Sequence, residues 1–329
     1  MFEKQITSKF SEENPELNGT LKKSEKWIVA YSGGVDSRVL LDLVMKSKPE
    51  NTPLVVIHVN HGLSDNAFLW EEKVKEVCDS YGVELIYKRV FINGTAGVEN
   101  LARDARYAAI IEEMTENSVV FTGHHLNDHA ETFLFRLFRG SGVTGLCGIP
   151  KTRTLGQGII FRPLLGFGRK EIESYAEHKG FNWVTDESNV DTKYSRNYIR
   201  HEVLPGIVKK WGNFLPVLNR TIDQLQEARD LLDEIAETDL VSISAVNKKH
   251  IDCKCISIEK LKKLSYPRMK NVLMKFCRDL EEGNQGSKRL DNLIKTIMTE
   301  NKANSKLRVV QYEYADVVSN GNLVWIERK

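Results

Sequence analysis

The chain of 329 residues carries 47 Lys+Arg against 45 Asp+Glu, a net charge of +2, with 41% hydrophobic and 28% charged residues. At roughly 100–200 residues per domain this is room for two domains with a sizeable core. No apolar run approaches the roughly 20 residues of a membrane span, the polar start Met1-Phe-Glu-Lys-Gln-Ile lacks a signal-peptide pattern, and five cysteines without a Cys-x-x-Cys argue against a disulfide framework, a zinc ribbon or an iron–sulfur site. A cytoplasmic location without a membrane partner is expected. The charge is uneven: residues 1–204 hold 25 Lys+Arg against 28 Asp+Glu, and residues 205–329 hold 22 against 17. That excess suits a phosphate-rich polymer and equally an ordinary solvated surface.

In chain order, residues 1–24 read as an N-terminal extension. Trp27-Ile-Val-Ala-Tyr-Ser-Gly-Gly-Val-Asp-Ser37 runs from an apolar strand through a Gly-containing turn into a helix over 38–46. Residues 54–59 read as a β-branched buried strand, 68–81 as a helix and 84–90 as a strand. A helix over 98–117 with apolar Leu101, Ala105, Ala108, Ile111 and Met114, a strand over 118–122 and a helix over 128–139 follow. This alternation predicts an α/β fold, a Rossmann-like, doubly wound parallel sheet built of right-handed βαβ units with ligands outside the C-terminal strand ends. The glycine-rich stretch 140–148 is a candidate mobile loop over the site, or a plain connection. Residues 170–179 are expected to be helical, and Pro205 marks a break. An amphipathic helix from 214 to about 239 (Leu215, Leu218, Ile222, Leu225, Leu232, Ile235) bridges to a smaller α+β C-terminal domain. There, 256–264, 268–277 and 289–298 look helical, while 307–310 and 323–326 look like strands, the latter after an Asn320-Gly321 turn signal. The expected domains are a catalytic domain over 25–205, a helical linker over 206–240 and an accessory domain over 241–329.

The chemistry begins in the turn at 32–37. Gly33 and Gly34 let the backbone approach an anion, Ser32 and Ser37 add hydroxyls, and the N–H groups through Val35 converge on the same point. Asp36 is out of place beside phosphate unless a divalent cation lies between them, which implies Mg²⁺ with a nucleoside triphosphate. The string is neither a Walker loop nor a Gly-x-Gly-x-x-Gly fingerprint. It resembles the pyrophosphate loop of the N-type ATP pyrophosphatases, adenine nucleotide alpha hydrolase-like enzymes, and so implies cleavage of ATP between its α and β phosphates, with AMP activating an oxygen of the substrate.

Further constellations follow expected strand ends. They are His58-Val-Asn-His-Gly62, Glu99-Asn-Leu-Ala-Arg-Asp-Ala-Arg-Tyr107, Gly123-His-His-Leu-Asn-Asp-His-Ala-Glu-Thr132, Arg139-Gly-Ser-Gly142, Arg162-Pro-Leu-Leu165, Asp186-Glu-Ser-Asn189 and Arg196-Asn-Tyr-Ile-Arg200. In this order they resemble the bacterial tRNA(Ile)-lysidine synthetase family, closely over about 25–205. The resemblance implies a carbon–nitrogen ligase acting on tRNA(Ile) with the anticodon CAU. Oxygen 2 of the wobble cytosine attacks the α-phosphate of ATP, and L-lysine then displaces AMP at carbon 2 through its ε-amine, switching decoding and charging from methionine to isoleucine. Under that resemblance Ser32 to Ser37 bind the pyrophosphate portion and Asp36 holds Mg²⁺ on the phosphates. Arg103 and Arg106, three apart on one helical face, point to a phosphate site, or else to surface ion pairs with Asp104, Glu99 or Glu112. Asp128 and Glu131 share a face suited to a lysine ammonium group or Mg²⁺, or act as ordinary helix N-terminal carboxylates. His58 and His61 shape the adenosine side, and His125 contacts nucleotide. Arg196 and Arg200 stand on the substrate side.

Two departures stand out. Many relatives have two adjacent aspartates where this chain has Asn127-Asp128. Only about 120 residues follow Pro205, as in a short form with one accessory domain or a truncated chain. Lys209, Lys210, Lys248, Lys249, Lys262, Lys263, Arg268 and Lys270 are candidate tRNA contacts. A tRNA thiolase on the same fold is the nearest alternative, but would be expected to carry paired cysteines; a nucleotide-responsive RNA-binding protein without catalysis would not need the acidic residues. A homodimer is left open, symmetric dimers being common among enzymes.

Overall fold

Trp27 and Val29 of strand β1 (Lys26–Ala30) join one hydrophobic cluster and Ile28 another, so the strand is buried on both faces. The pattern recurs in β2 (Leu54–Asn60) and β4 (Ser118–Phe121): Val56, Val119 and Phe121 lie on the first face, and Val55, Ile57 and Val120 on the second. The structure is a computed structural model and describes residues 2–60, 67–90, 98–184, 195–245, 255–278, 287–299, 307–311, 315–320 and 322–328. His61, Gly62, Asp186 to Asn189, Tyr194, Lys248, Lys249, Cys253 and Gly321 lie outside the described residues.

With β3 (Glu84–Arg89), β5 (Thr152–Leu155) and β6 (Gly158–Phe161), the first sheet has the order β3-β2-β1-β4-β6-β5. All pairs are parallel except β5 with β6. The first face is covered by α1 (Phe2–Glu13), α2 (Val35–Ser47), α3 (Ala67–Tyr81) and α7 (Arg169–His178), through residues such as Phe10, Leu40, Val74 and Tyr175. The second carries Ile110 of α4 (Val98–Ile111) and Met114 just beyond it. From β1 the chain moves out to β2 and β3, then returns to β4 on β1's other side. The C-terminal ends of β1 and β4 therefore flank the switch point, the crevice where open α/β sheets bind ligands.

The doubly wound α/β expectation is met, with local differences. Residues 1–24 are no bare extension: α1 and two 3₁₀ turns bury Ile6, Phe10, Leu17 and Leu21 in the first cluster. The helix expected to reach 117 stops at Ile111, and Asn117 turns the chain into β4 with φ of +54°. Strands β5 and β6 have four residues each, too short for an alternating pattern to stand out. Helix α5 (Leu126–Phe138) is followed by the glycine-rich stretch, which contains the short helix α6 (Val143–Leu146). Beyond α7 come α8 (Ser195–Tyr198), a π-helical segment Ile199–Val203, α9 (Leu204–Lys210) and α10 (Phe214–Ile243).

Contacts divide the chain into two units, Met1–Phe135 with Gly148–Asn219, and Arg136–Cys147 with Arg220–Lys329. The second holds an antiparallel sheet in the order β7-β8-β11-β10-β9, from β7 (Ser244–Ala245), β8 (Cys255–Ser257), β9 (Leu307–Gln311), β10 (Ala315–Asn320) and β11 (Leu323–Arg328). Its helices α11 (Ile258–Leu261), α12 (Tyr266–Arg278) and α13 (Ser287–Thr299) supply Leu261, Leu273 and Leu293 to its core. Residues 256 and 257, expected to open a helix, lie in strand β8 because they pair with β11; the helix starts only after Ser257, whose Oγ accepts the Lys260 N–H.

Several candidate tRNA contacts are engaged within this unit. Arg268 pairs through Nε with the buried carboxylate of Asp239 at 3.0 Å, Lys270 with Asp291 at 2.9 Å, and Lys263 with Glu259 at 3.3 Å. Arg268→Ala is therefore expected to act on stability: it strands the Asp239 charge. The urea midpoint should fall, while the salt dependence of RNA binding stays as in the parent chain.

Candidate active site

The strand β1 hands its backbone to a tight turn. Tyr31 N–H still donates to the Ile57 carbonyl at 2.9 Å, and Gly33 then adopts φ of +88° while its carbonyl accepts the Val184 N–H at 2.9 Å. A side chain at Gly33 would meet only ordinary contacts with Val74 and Val184, so its demand for glycine is conformational. Gly33→Ala is expected to cost about 1–2 kcal/mol in stability, read as a lowered thermal midpoint, and to weaken ATP binding in calorimetry by distorting the turn. Gly34 precedes α2, and its carbonyl accepts the Arg38 N–H and the Ser37 hydroxyl, both at 2.9 Å. Ser32 and Ser37 place their hydroxyls 3.2 Å apart.

Asp36 sits in the first turn of α2, half-buried, and its Oδ1 is a buried acceptor without a hydrogen bond. His125 Nε2 lies 3.6 Å from Oδ1 and Arg169 Nη1 lies 3.9 Å from Oδ2. Burial pushes the Asp36 carboxyl above the usual carboxylate range, with His125 and Arg169 opposing that rise. From the end of β4, Gly123 lies against this turn so closely that a Cβ there would come 3.2–3.3 Å from the Asp36 and Ser37 backbone. Glycine thus lets the two strand ends of the switch point meet.

The start of α5 supplies the acidic pair. His125 N–H donates to Asp128 Oδ2 at 3.0 Å, so this oxygen is a helix cap, while Asp128 Oδ1 accepts from Arg200 Nη2 at 3.0 Å. One turn on, buried Glu131 takes Arg200 in a fork, Oε1 from Nε at 2.7 Å and Oε2 from Nη2 at 2.9 Å. Burial works against the Asp128 charge, yet His125, His124, the His125 amide and Arg200 outweigh it and hold its carboxyl low. Burial raises Glu131 despite Arg200. Arg200 itself is pushed up, its desolvation overcome by Glu131. It lies in the π-helical segment, a backbone irregularity that re-aims side chains and recurs at functional sites.

His58, in β2, uses Nδ1 at 2.8 Å from the Tyr31 carbonyl, the proton donor's position, and stands edge-on to Tyr87. Burial pushes its pKa down, and Arg106 adds to this. His124 turns to Thr122 at 3.0 Å, and burial lowers it to about 4. Arg103 and Arg106 on α4 are exposed, with the Arg103 guanidinium 5.5 Å from the Tyr107 ring. Glu112, one of their suggested ion-pair partners, goes instead to Lys88 at 3.1 Å. Arg196 stands over the Phe135 ring at 5.8 Å. Thus the turn at 32–37, His125, Asp128, Glu131 and Arg200 are brought together at the switch point. Arg169 and Asn127 belong there too, and only the Asn127-Asp128 departure signals either in sequence. Among the described residues no three His, Cys, Asp or Glu side chains are grouped to hold a metal by themselves.

Residues 2–207 match the family described as the PP-loop domain. The chain belongs to the PP-loop family. This PP-loop chain is 42% identical over 257 residues to the tRNA(Ile)-lysidine synthase of Pseudomonas fluorescens (strain Pf0-1), covering 77% of itself and 58% of that protein. It is 38% identical over 260 residues to the tRNA(Ile)-lysidine synthase of Legionella pneumophila (strain Paris), covering 79% of itself and 59% of that protein. It therefore spans less than two thirds of the length of these curated relatives. Among solved structures, the U34-tRNA thiolase of Methanococcus maripaludis, with its [4Fe-4S] cluster, superposes with a TM-score of 0.54 at 21% identity over 69% of this chain and 80% of that one. That likeness concerns the fold.

Proposed function

We propose that this PP-loop chain is a tRNA(Ile)-lysidine synthase, ligating L-lysine to carbon 2 of the wobble cytidine in CAU-anticodon tRNA(Ile), with ATP converted to AMP and pyrophosphate. The observation carrying this reading is the acidic pair of Asp128 and Glu131 beside the phosphate turn at the switch point. A phosphate cradle alone has no use for two carboxylates, whereas an amino-acid ammonium group does. The names of the curated relatives agree with it.

The backbone from Ser32 to Ser37 binds the phosphates, and the helix α2 N-terminus favours their charge. Asp36 fits Mg²⁺: its buried Oδ1 has bonding capacity unspent, and a magnesium ion shared with phosphates needs only one or two protein carboxylates. When bound, Mg²⁺ neutralises charge on the phosphates. The cytosine oxygen attacks the α-phosphate, the bond to the β-phosphate breaks and pyrophosphate leaves. The neutral ε-amine of lysine then attacks carbon 2, the carbon–oxygen bond breaks to release AMP, and the amine sheds a proton. Asp128 and Glu131 receive a lysine ammonium group, for which Arg200 is the stand-in in this structure. Arg196 serves the RNA side, Arg200 holds the acidic pair on the substrate side, His58 the adenosine side, and Arg103 and Arg106 the phosphates.

Given ATP, Mg²⁺, lysine and a CAU-anticodon tRNA(Ile) transcript, the chain is expected to release AMP and pyrophosphate in equal amounts. Release that is indifferent to the transcript contradicts the reading. Lys209 and Lys210, exposed at the end of α9, have no ion pair among the described residues. Removing both charges is expected to weaken tRNA binding uniformly and lower the salt slope by about 1–2, as measured by filter binding across a salt series; an unchanged slope counts against this surface.

A further inference from the structure

Arg169 opens α7, immediately after the β6 connection, and two hydrogen bonds tie that connection to the start of α5. Leu126 N–H donates to the Phe167 carbonyl at 2.9 Å, and Arg169 N–H donates to Asn127 Oδ1 at 3.0 Å. The Arg169 side chain is oriented from its other end: Nε donates to Glu173 Oε1 at 2.8 Å. This brings Nη1 toward the phosphate turn, where it lies 3.9 Å from Asp36 Oδ2. At that separation the pair attract without a hydrogen bond. No hydrogen bond engages the η donors among the described residues, and the buried Oδ1 of Asp36 has none either.

From this we infer that Arg169, positioned by Asn127, binds the β and γ phosphates of ATP and holds them as they leave as pyrophosphate; the inference rests on the adenylation reading above. A guanidinium whose Nε is tied down presents its remaining donors as a fixed fork, the geometry that phosphate oxygens accept in pairs. Its charge is needed at this place. Asp36, Asp128 and Glu131 make the site acidic, Arg200 is spent on the last two, and a leaving pyrophosphate brings further negative charge. The departure at 127 acquires a physical reason. Asn127 offers the neutral acceptor that the Arg169 amide requires without setting another carboxylate beside Asp128 and Asp36, where it would draw the guanidinium away from phosphate.

The test uses inorganic pyrophosphate as probe, with the full chain. Arg169→Gln is expected to raise the inhibition constant of pyrophosphate in the adenylation assay by about tenfold or more, and to raise the KM for ATP. The KM for lysine and the affinity for tRNA stay as in the parent chain. Arg169→Lys restores part of the loss, and Asn127→Ala shifts pyrophosphate inhibition in the same direction by less. Should Arg169→Gln fail to fold by circular dichroism, Arg169→Lys and Asn127→Ala carry the comparison. An unchanged pyrophosphate constant, or equal losses for lysine and tRNA, overturns the assignment. Calorimetric titration with pyrophosphate separates it from the broader reading. Weaker binding in Arg169→Gln upholds the phosphate site even if no lysine is transferred, and equal binding sinks it whatever the acceptor proves to be.

Discussion

Asp36→Asn is expected to lower the rate of adenylation by about 10²–10³ and to leave tRNA affinity nearly untouched. The amide keeps the shape of the side chain in the first turn of α2 and removes only its charge. Asp36 makes no hydrogen bond through Oδ1, so the substitution breaks no structural bond there. What it removes is the carboxylate that can share a magnesium ion with the phosphates. Because burial holds this carboxyl above the usual range, the neutral side chain should also be tolerated by the fold, and the thermal midpoint should not fall. Pyrophosphate release and filter binding on the same preparation check both halves. Parallel loss of RNA affinity would move Asp36 out of the phosphate site.

Glu131→Gln has the second large effect, and it acts on stability and substrate together. The Glu131 carboxylate is buried and takes Arg200 through both oxygens, so the amide keeps one acceptor, sets an NH2 donor against the guanidinium, and leaves Asp128 as its one charged partner in the pair. Discounted for the partial exposure of Arg200, the loss in stability is about 1–3 kcal/mol. The site also loses half of its acidic pair, for which a rise of roughly thirtyfold in the KM for lysine is expected, equivalent to about 2 kcal/mol. The KM for ATP should move far less. Urea denaturation and steady-state kinetics with lysine as the varied substrate measure the two effects. A rise confined to ATP would place the pair on the nucleotide instead.

The parts of this site that were legible in sequence are those whose chemistry is local. The turn at 32–37 carries its glycines, hydroxyls and carboxylate within six positions after an apolar strand, and Asp128 and Glu131 are one helical turn apart. A resemblance singles out Arg200, but which side chains meet across long stretches of chain could not be read. Arg200 reaches its carboxylates across 69 and 72 positions, and Arg169 meets Asn127 across 42. Charge and residue type mark such arginines as surface cations as readily as site residues, and the ion pair of Arg268, offered as an RNA contact, with Asp239 has no sequence signal. The same limit applies to the fold. The strand–helix alternation from β1 to α5 exposes the doubly wound sheet, whereas α1 only declares itself through Phe10 and Ile6 packing into a core assembled from distant elements.

Lysine transfer itself is the measurement that bears most directly on the site. The purified chain is incubated with ATP, Mg²⁺, radiolabelled L-lysine and transcripts of CAU-anticodon tRNA(Ile) and of tRNA(Met) in separate reactions. The expected result is label fixed covalently in tRNA(Ile), with AMP and pyrophosphate formed in equal amounts. A folded chain that binds ATP and tRNA(Ile) but fixes no lysine would contradict the assignment of Asp128 and Glu131 to an amino-acid substrate.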